Sequence, residues 1–417
     1  MSIASDSASA AGAPAALSPA VAPPPGNPRF PQFDSLRALG VLGVLLFHVA
    51  SFTGAFNGHE SGNLIAVLGD EAVIVFFATS GFMLYRPFVL ASAEGRPRPS
   101  ARRYARRRLL RIVPGYWVAL TLLAIFPGIT GPFGSDWWRY YFFLQIYSSH
   151  TISQGIPQAW TLCVELTFYI SLPVWAILIR RLRRALRAGW LVSELVPLVF
   201  VALFGVAVQV AASRLKVSSL LTTTLLGECV WFALGMSLAV WSVANQHAAQ
   251  PGRVVRLISD YPLGCWALAA ACVLGATAVL HPGGLLNIVL SLHTRQPYGR
   301  TLGGLVLQGG ACAALFVTAM FGSGGFARRV LTWAPLAWLG LVSYGVYLYQ
   351  LGVVEYLVQK HAPLNFSATG LGLHLSTVVL FIISLAISAV LAAVSYQVIE
   401  LPFLRRKESK RVSAPAA

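Results

Sequence analysis

Arg37 and His48 stand eleven residues apart in an otherwise apolar segment that runs from Phe33-Asp34-Ser35-Leu36-Arg37 to Phe47-His48. On an α-helix that spacing brings both side chains to nearly the same face, about 16 Å apart along the axis. If the segment spans a membrane, a guanidinium lies at one edge and a titratable nitrogen near the centre. Ionisable groups at that depth are costly and usually face a protein cavity with a function. A neutral imidazole can take a proton from a hydroxyl, and a guanidinium fork matches phosphate oxygens. The alternative for His48 is a buried histidine bonded to a neighbouring helix.

A second basic element, Arg102-Arg103-Tyr104-Ala105-Arg106-Arg107-Arg108-Leu109-Leu110-Arg111, enters a later apolar segment. Most of these arginines suit a topogenic role beside anionic lipid heads. Arg108 and Arg111 share a helix face at three-residue spacing. With Arg37 they could form a phosphate-binding cluster for a negatively charged cytosolic donor. Acidic residues are scarce, so those in apolar segments are conspicuous. If Trp160 marks the outer interface, Glu165 lies about 8 Å inside it, within about 6 Å of the depth of His48. Glu165 could then orient or charge-stabilise the imidazole. Glu400 falls level with Arg37 and Arg111, where a structural ion pair is expected. Glu228 and His374 are weaker candidates.

These residues need a membrane scaffold. Of 417 residues 56% are hydrophobic and only 11% charged, against roughly 25% charged in soluble domains, and the mean hydropathy is +0.68. The fold class is therefore all-α polytopic membrane protein. Spans are expected near 36–56, 67–85, 109–127, 159–179, 191–211, 220–243, 261–280, 302–322, 334–358 and 371–400, about ten transmembrane helices. With the N-terminus cytoplasmic, 25 of the 31 Lys and Arg residues fall inside and six outside. Every inner connection then obeys the positive-inside rule, and both termini are cytoplasmic. The net charge of +17 is thus explained by topology, with no nucleic-acid partner. Five cysteines standing singly indicate neither a disulfide framework nor a metal site. Arginine makes up 27 of the basic residues, a bias that points to a GC-rich bacterium and its cytoplasmic membrane.

Residues 1–30 read as a disordered cytosolic tail without a secretory signal. Residues 31–404 form the transmembrane domain, and 405–417 a basic cytosolic tail too short for a second domain. The connection 128–158 is the longest external one. Its run Trp137-Trp138-Arg139-Tyr140-Tyr141-Phe142-Phe143 could re-enter the bundle, although a belt of interfacial aromatics is the first expectation. No internal repeat of the kind found in many transporters is evident.

The motifs match a family. The chain resembles the membrane acyltransferase-3 family, whose members move acyl groups from a cytosolic thioester to envelope carbohydrates or other acceptors. Phe33 to Leu39 and on through Phe47-His48 looks like the family's opening helix with its Arg-x10-His spacing. Phe76-Phe77-Ala78-Thr79-Ser80-Gly81-Phe82 is similar to its Phe-Phe-x-x-Ser-Gly-Phe signature. Arg107 to Trp117 resembles its Arg-x-x-Arg helix, and Trp160 to Tyr169 its Trp-x-Leu-x-x-Glu-x-x-Phe-Tyr block. Ser343-Tyr344-Gly345-Val346-Tyr347-Leu348 and Ser395-Tyr396 through Ile399-Glu400, Pro402 and Phe403 resemble its closing elements. Two positions depart from the pattern: Ile74 stands where the family often has an acid, and Gln350 where it commonly has a histidine. Many relatives also carry an esterase-like extension, for which this chain is too short.

The resemblance implies an integral membrane O-acyltransferase that moves an acyl group, expected to be acetyl, from acyl-CoA to a hydroxyl of an extracytoplasmic glycan or glycolipid. Arg37, Arg108 and Arg111 would hold the donor's phosphates. His48 would serve as base or brief acyl carrier, and Glu165 as its partner. Trp160, Tyr169 and Asp34 are expected to contact substrate, and no metal is required. The competing class is a proton-coupled lipid or glycan transporter using the same cavity as a path.

Overall fold

The computed structural model describes residues 31–55, 60–187, 189–215, 219–248, 250–281, 297–322, 325–361 and 375–405. The disordered tail expected at 1–30, most of the basic tail and His374 lie outside these residues. Ten long helices carry the fold: α1 Pro31–Thr53, α2 Glu60–Ala93, α3 Ala101–Ile125, α4 Trp160–Leu186, α5 Trp190–Leu215, α6 Leu225–Gln246, α7 Pro262–Leu280, α8 Pro297–Phe321, α9 Ala334–His361 and α10 Leu375–Ser395. No strand occurs among the described residues. Each of the ten holds a segment long and apolar enough to cross a bilayer, with mean hydropathy between 1.3 and 2.7. The protein is a multi-pass membrane protein. Helices follow because no water in the hydrocarbon can satisfy a backbone N–H or C=O. Pro87, Pro114, Pro173 and Pro197 sit inside helices, as membrane helices tolerate when neighbours satisfy the freed carbonyls.

The odd-numbered helices begin, and the even-numbered ones end, on one face of the bundle, where the arginine runs Arg102–Arg111 and Arg180–Arg187 also lie. This is the basic face. α6 and α9 are the innermost helices, with 78% of their apolar windows buried, whereas α5 is peripheral at 17%. Phe200 and Leu203 on α5 are 68% and 59% exposed, as expected of side chains that meet lipid.

Small residues set how closely the inner helices approach. A Cβ on Gly235 of α6 would lie 2.0 Å from the Ala78 carbonyl oxygen of α2, and one on Gly81 of α2 would lie 2.5 Å from that of Phe232. The two glycines are reciprocal, one from each helix. A Cβ on Gly340 of α9 would likewise lie 1.8 Å from the Asp34 carbonyl oxygen of α1. Because the obstructing atoms are backbone, a larger residue must separate the helices. Gly235→Val should therefore destabilise the protein by roughly 1–3 kcal/mol or more, read as a lower melting temperature in detergent. An unchanged melting temperature would contradict the packing.

The connection between α3 and α4 folds into the bundle. Tyr116 of α3 donates its hydroxyl to the Tyr140 carbonyl (2.9 Å), and Gln145 donates to the Tyr116 hydroxyl (3.3 Å). The Gly155 amide closes the segment onto the Thr130 carbonyl at 2.9 Å. Gln158 donates to the Tyr347 carbonyl at 3.0 Å, and the Thr161 and Tyr347 hydroxyls pair at 2.7 Å. Tyr347 is 13 residues from the start of α9 and 14 from its end, so these contacts lie about 20 Å from either end. The segment re-enters, which corrects the expectation of an interfacial belt. Tyr140 and Phe143 turn inward at 1% and 4% exposure, while Trp137 and Phe142 stay exposed. Buried polar backbone makes the inward course possible, since Gln145, Thr151 and Gln158 supply the hydrogen bonds that lipid cannot.

Candidate active site

The re-entrant segment sets the depth of α4. Trp160 opens that helix beside the middle of α9 and lies edge-on to Phe77 at 6.1 Å. It marks no interface, so the sequence-based depth of Glu165 is corrected. The carboxylate is carried about 8 Å further toward the basic face, into a cavity of about 170 Å3.

Five helices and one turn build that cavity. α1 contributes Phe33, Asp34 and Arg37; α2 contributes Phe76, Thr79 and Ser80; α3 contributes Arg108 and Arg111. α4 supplies Glu165 and Tyr169, and α9 supplies Tyr344. The chain leaves α10 through a π-helical turn, Tyr396–Glu400, and both end residues of that turn line the cavity. π turns are rare and occur frequently at functional sites.

Glu165 is held from two sides. Ser80 Oγ donates to its Oε1 at 2.6 Å, and the Tyr169 hydroxyl, one helical turn on, donates to Oε2 at 2.8 Å. Arg37 is within electrostatic reach of Arg111, Asp34 and Glu165, and Arg108 of Tyr169, Arg111 and Glu165. Yet the ion pairs among the described residues include none of the three arginines. Arg108 Nε is buried without a hydrogen-bond partner. Three guanidinium groups thus share a small polar cavity with three carboxylates, Asp34, Glu165 and Glu400, yet none closes an ion pair with them, and donors stay in reserve. Their forks suit an anion with several oxygens, such as a phosphate.

Of the expected residues, Asp34, Arg37, Arg108, Arg111, Glu165, Tyr169 and Glu400 come together in this cavity. Glu400 does not close an ion pair: its Oε1 is buried without a partner, with Arg37 and Arg111 near enough only for electrostatic influence. Trp160 and His48 are not among the lining residues. The cavity ends toward Phe76, whose ring lies against Gly40. His48 is eight residues beyond Gly40 on α1, about 12 Å further. It bears no hydrogen bond among the described residues, and its Nδ1 is buried without a partner. Glu165 is therefore not the group that orients His48; its hydrogen bonds go to Ser80 and Tyr169. The Phe76 and Tyr347 rings, edge to face at 5.9 Å, belong to the helices that separate the two. Gln350, where a histidine was expected, is fully buried, and neither its nitrogen nor its oxygen has a partner.

Sequence reasoning passed over Ser80, Tyr344 and Tyr396 as site residues, although all three lie inside the motifs quoted above. Ser80 was legible in principle, because a hydroxyl four residues after paired aromatics recurs one turn on from Phe76. Among the described residues, no three His, Cys, Asp or Glu side chains converge as metal ligands would.

The sequence pattern of the family described as "Acyltransferase domain" matches residues 30–393. The chain belongs to the acyltransferase-3 family. The protein YrhL of Bacillus subtilis is 22% identical to it over 395 residues, covering 89% of this chain and 54% of that protein. The peptidoglycan O-acetyltransferase OatA of Listeria monocytogenes is 20% identical over 351 residues, 78% of this chain and 49% of OatA. The acyltransferase MdmB of Streptomyces mycarofaciens is 30% identical over 171 residues, 38% of this chain and 42% of MdmB. The chain spans about half the length of the first two of these relatives. No solved structure matches it.

Proposed function

We propose that this acyltransferase moves an acetyl group from acetyl-CoA to a hydroxyl of a glycan or glycolipid on the far side of a bacterial cytoplasmic membrane. The observation that carries the donor half is the convergence of Arg37, Arg108 and Arg111, without carboxylate partners, in one cavity on the basic face. These arginines would hold phosphate oxygens of the donor, and Asp34, Tyr169 and Glu165 would contact its polar arm. Glu165, fixed by Ser80 and Tyr169, balances the arginines when the cavity is empty. Beyond Phe76, His48 would take the proton of the acceptor hydroxyl as that oxygen attacks the thioester carbonyl. The new C–O bond forms as the C–S bond breaks, and the thiolate leaves with CoA. The acceptor half draws its support from the resemblance to OatA, whose name gives a peptidoglycan acceptor.

A transporter would need no paired cytoplasmic arginines aligned with His48, and it would consume no thioester. Purified full-length protein in detergent, where no gradient exists, should hydrolyse or transfer acetyl from acetyl-CoA. Absence of thioester turnover, with an acceptor-mimicking sugar present, would favour the transporter.

The reading also requires the basic face to be cytoplasmic. Arg107 and Ser149 are exposed on opposite sides of the bundle. On a background lacking the five native thiols, a cysteine at Ser149 should react with an impermeant maleimide in intact cells. One at Arg107 should react only after the cells are opened. Labelling of both from outside would overturn the assignment of faces.

A further inference from the structure

A second cavity, of about 430 Å3, opens on the basic face between the C-terminal parts of α2 and α4 and the start of α5. Arg96 and Arg98 approach it from the segment after α2; Arg180, Arg183, Arg184 and Arg187 approach it from α4. Arg183 is fixed in place, its Nη1 donating to the Ser92 carbonyl at 2.9 Å and Oγ at 3.2 Å. Arg96 is bonded to Glu94. Arg98, Arg180, Arg184 and Arg187 have no carboxylate partner among the described residues. Glu194 is the acid in the lining, and it accepts a hydrogen bond from Tyr85.

A topogenic role asks only that positive charge lie in each inner connection. It does not ask that arginines from two connections, separated by α3 and the whole re-entrant segment, converge on one concavity. Like charges gathered in this way repel, and an anion relieves the repulsion. All six are arginine, the cation whose planar fork pairs with phosphate oxygens. Glu165, Tyr169, Ala176, Arg180 and Arg183 also share one face of α4 at about 100° per residue. The arginine cavity therefore continues the helix face that lines the first cavity, with Arg180 about 16 Å beyond Tyr169.

We propose that this arginine cavity is a binding site for a phosphorylated ligand, distinct from the cavity of Arg37, Arg108 and Arg111. Two sources share that chemistry, the nucleotide end of CoA and an anionic lipid headgroup. The test uses the full-length protein in detergent with two probes: adenosine 3′,5′-bisphosphate by isothermal titration, and phosphatidylglycerol by native mass spectrometry. R180A/R184A should weaken one probe by about tenfold or more, since each charged hydrogen bond to phosphate is strong. The probe that responds names the source. R180K/R184K keeps the charge and should still weaken it, which also serves if the alanine variant is poorly folded. R102A/R103A removes equal charge from exposed positions outside the cavity and should leave both probes unchanged. Parent-like binding of both probes by R180A/R184A and R180K/R184K would overturn the site. So would an equal loss in R102A/R103A. Loss of nucleotide binding only on changing Arg108 and Arg111, with phosphatidylglycerol binding unmoved by R180A/R184A, would overturn it too, while leaving the donor reading above intact.

Discussion

His48→Ala should lower acyl transfer by about 10²–10⁴-fold, the usual cost of removing a general base, while protein level and membrane insertion stay near those of the parent. The second half of that expectation rests on the geometry. A structural histidine would be bonded to a neighbouring helix, and its removal would leave that partner unsatisfied in an apolar interior. His48 has no such bond, and its buried Nδ1 is unpartnered. Truncation therefore removes chemistry and leaves no broken hydrogen bond behind. Two measurements check it together: turnover with acetyl-CoA and a sugar acceptor, and melting temperature in the same detergent. Near-parent turnover would sink the role of His48. A steep fall in melting temperature would return it to a structural part.

The ten helices were legible because membrane spans announce themselves by length and apolarity, and each expected segment lies within one of the ten helices or ends close to it. Their ends were less so. α2 runs on through Arg86 and Pro87 to Ala93 because Arg86 finds Ser242 and Gln246 of α6 within the bundle, a tertiary contact no hydropathy window registers. The arginine cluster was legible from helical spacing alone. The position of Glu165 was not. It depended on taking Trp160 as an interface marker, and that inference failed because Gln145, Gln158 and Thr161 let an irregular segment enter the bundle. Local sequence shows those polar residues but not their partners, which are up to 190 residues away. The same displacement parts Glu165 from His48 and gives the carboxylate to Ser80. Alignment of Arg37 and His48 on one helix face was a statement about α1 only; whether a single cavity reaches both depends on Phe76, which comes from α2.

Exchanging Arg108 and Arg111 together for lysine should weaken CoA binding by about 10–100-fold, although the charge is retained. A charged hydrogen bond is worth roughly 1.5–3 kcal/mol, and each 1.4 kcal/mol is about tenfold in affinity. Lysine offers a point charge and cannot present two parallel donors to one phosphate. Retained charge makes the variant informative, because lysine satisfies the positive-inside rule as well as arginine does, so topology should not change. Nor does the exchange break an internal ion pair, since neither arginine has one among the described residues. What remains to be lost is the fit to a ligand. The donor should show it as a higher KM for acetyl-CoA, with the acceptor's KM little moved, because His48 and the acceptor path lie on the other side of Phe76. Isothermal titration with CoA reads the first effect directly. Unchanged binding in the double variant would leave these arginines a topological role only, and the donor would have to enter elsewhere. An equal rise in both KM values would mean that the two substrates share one cavity, against the separation drawn here from Phe76 and Tyr347.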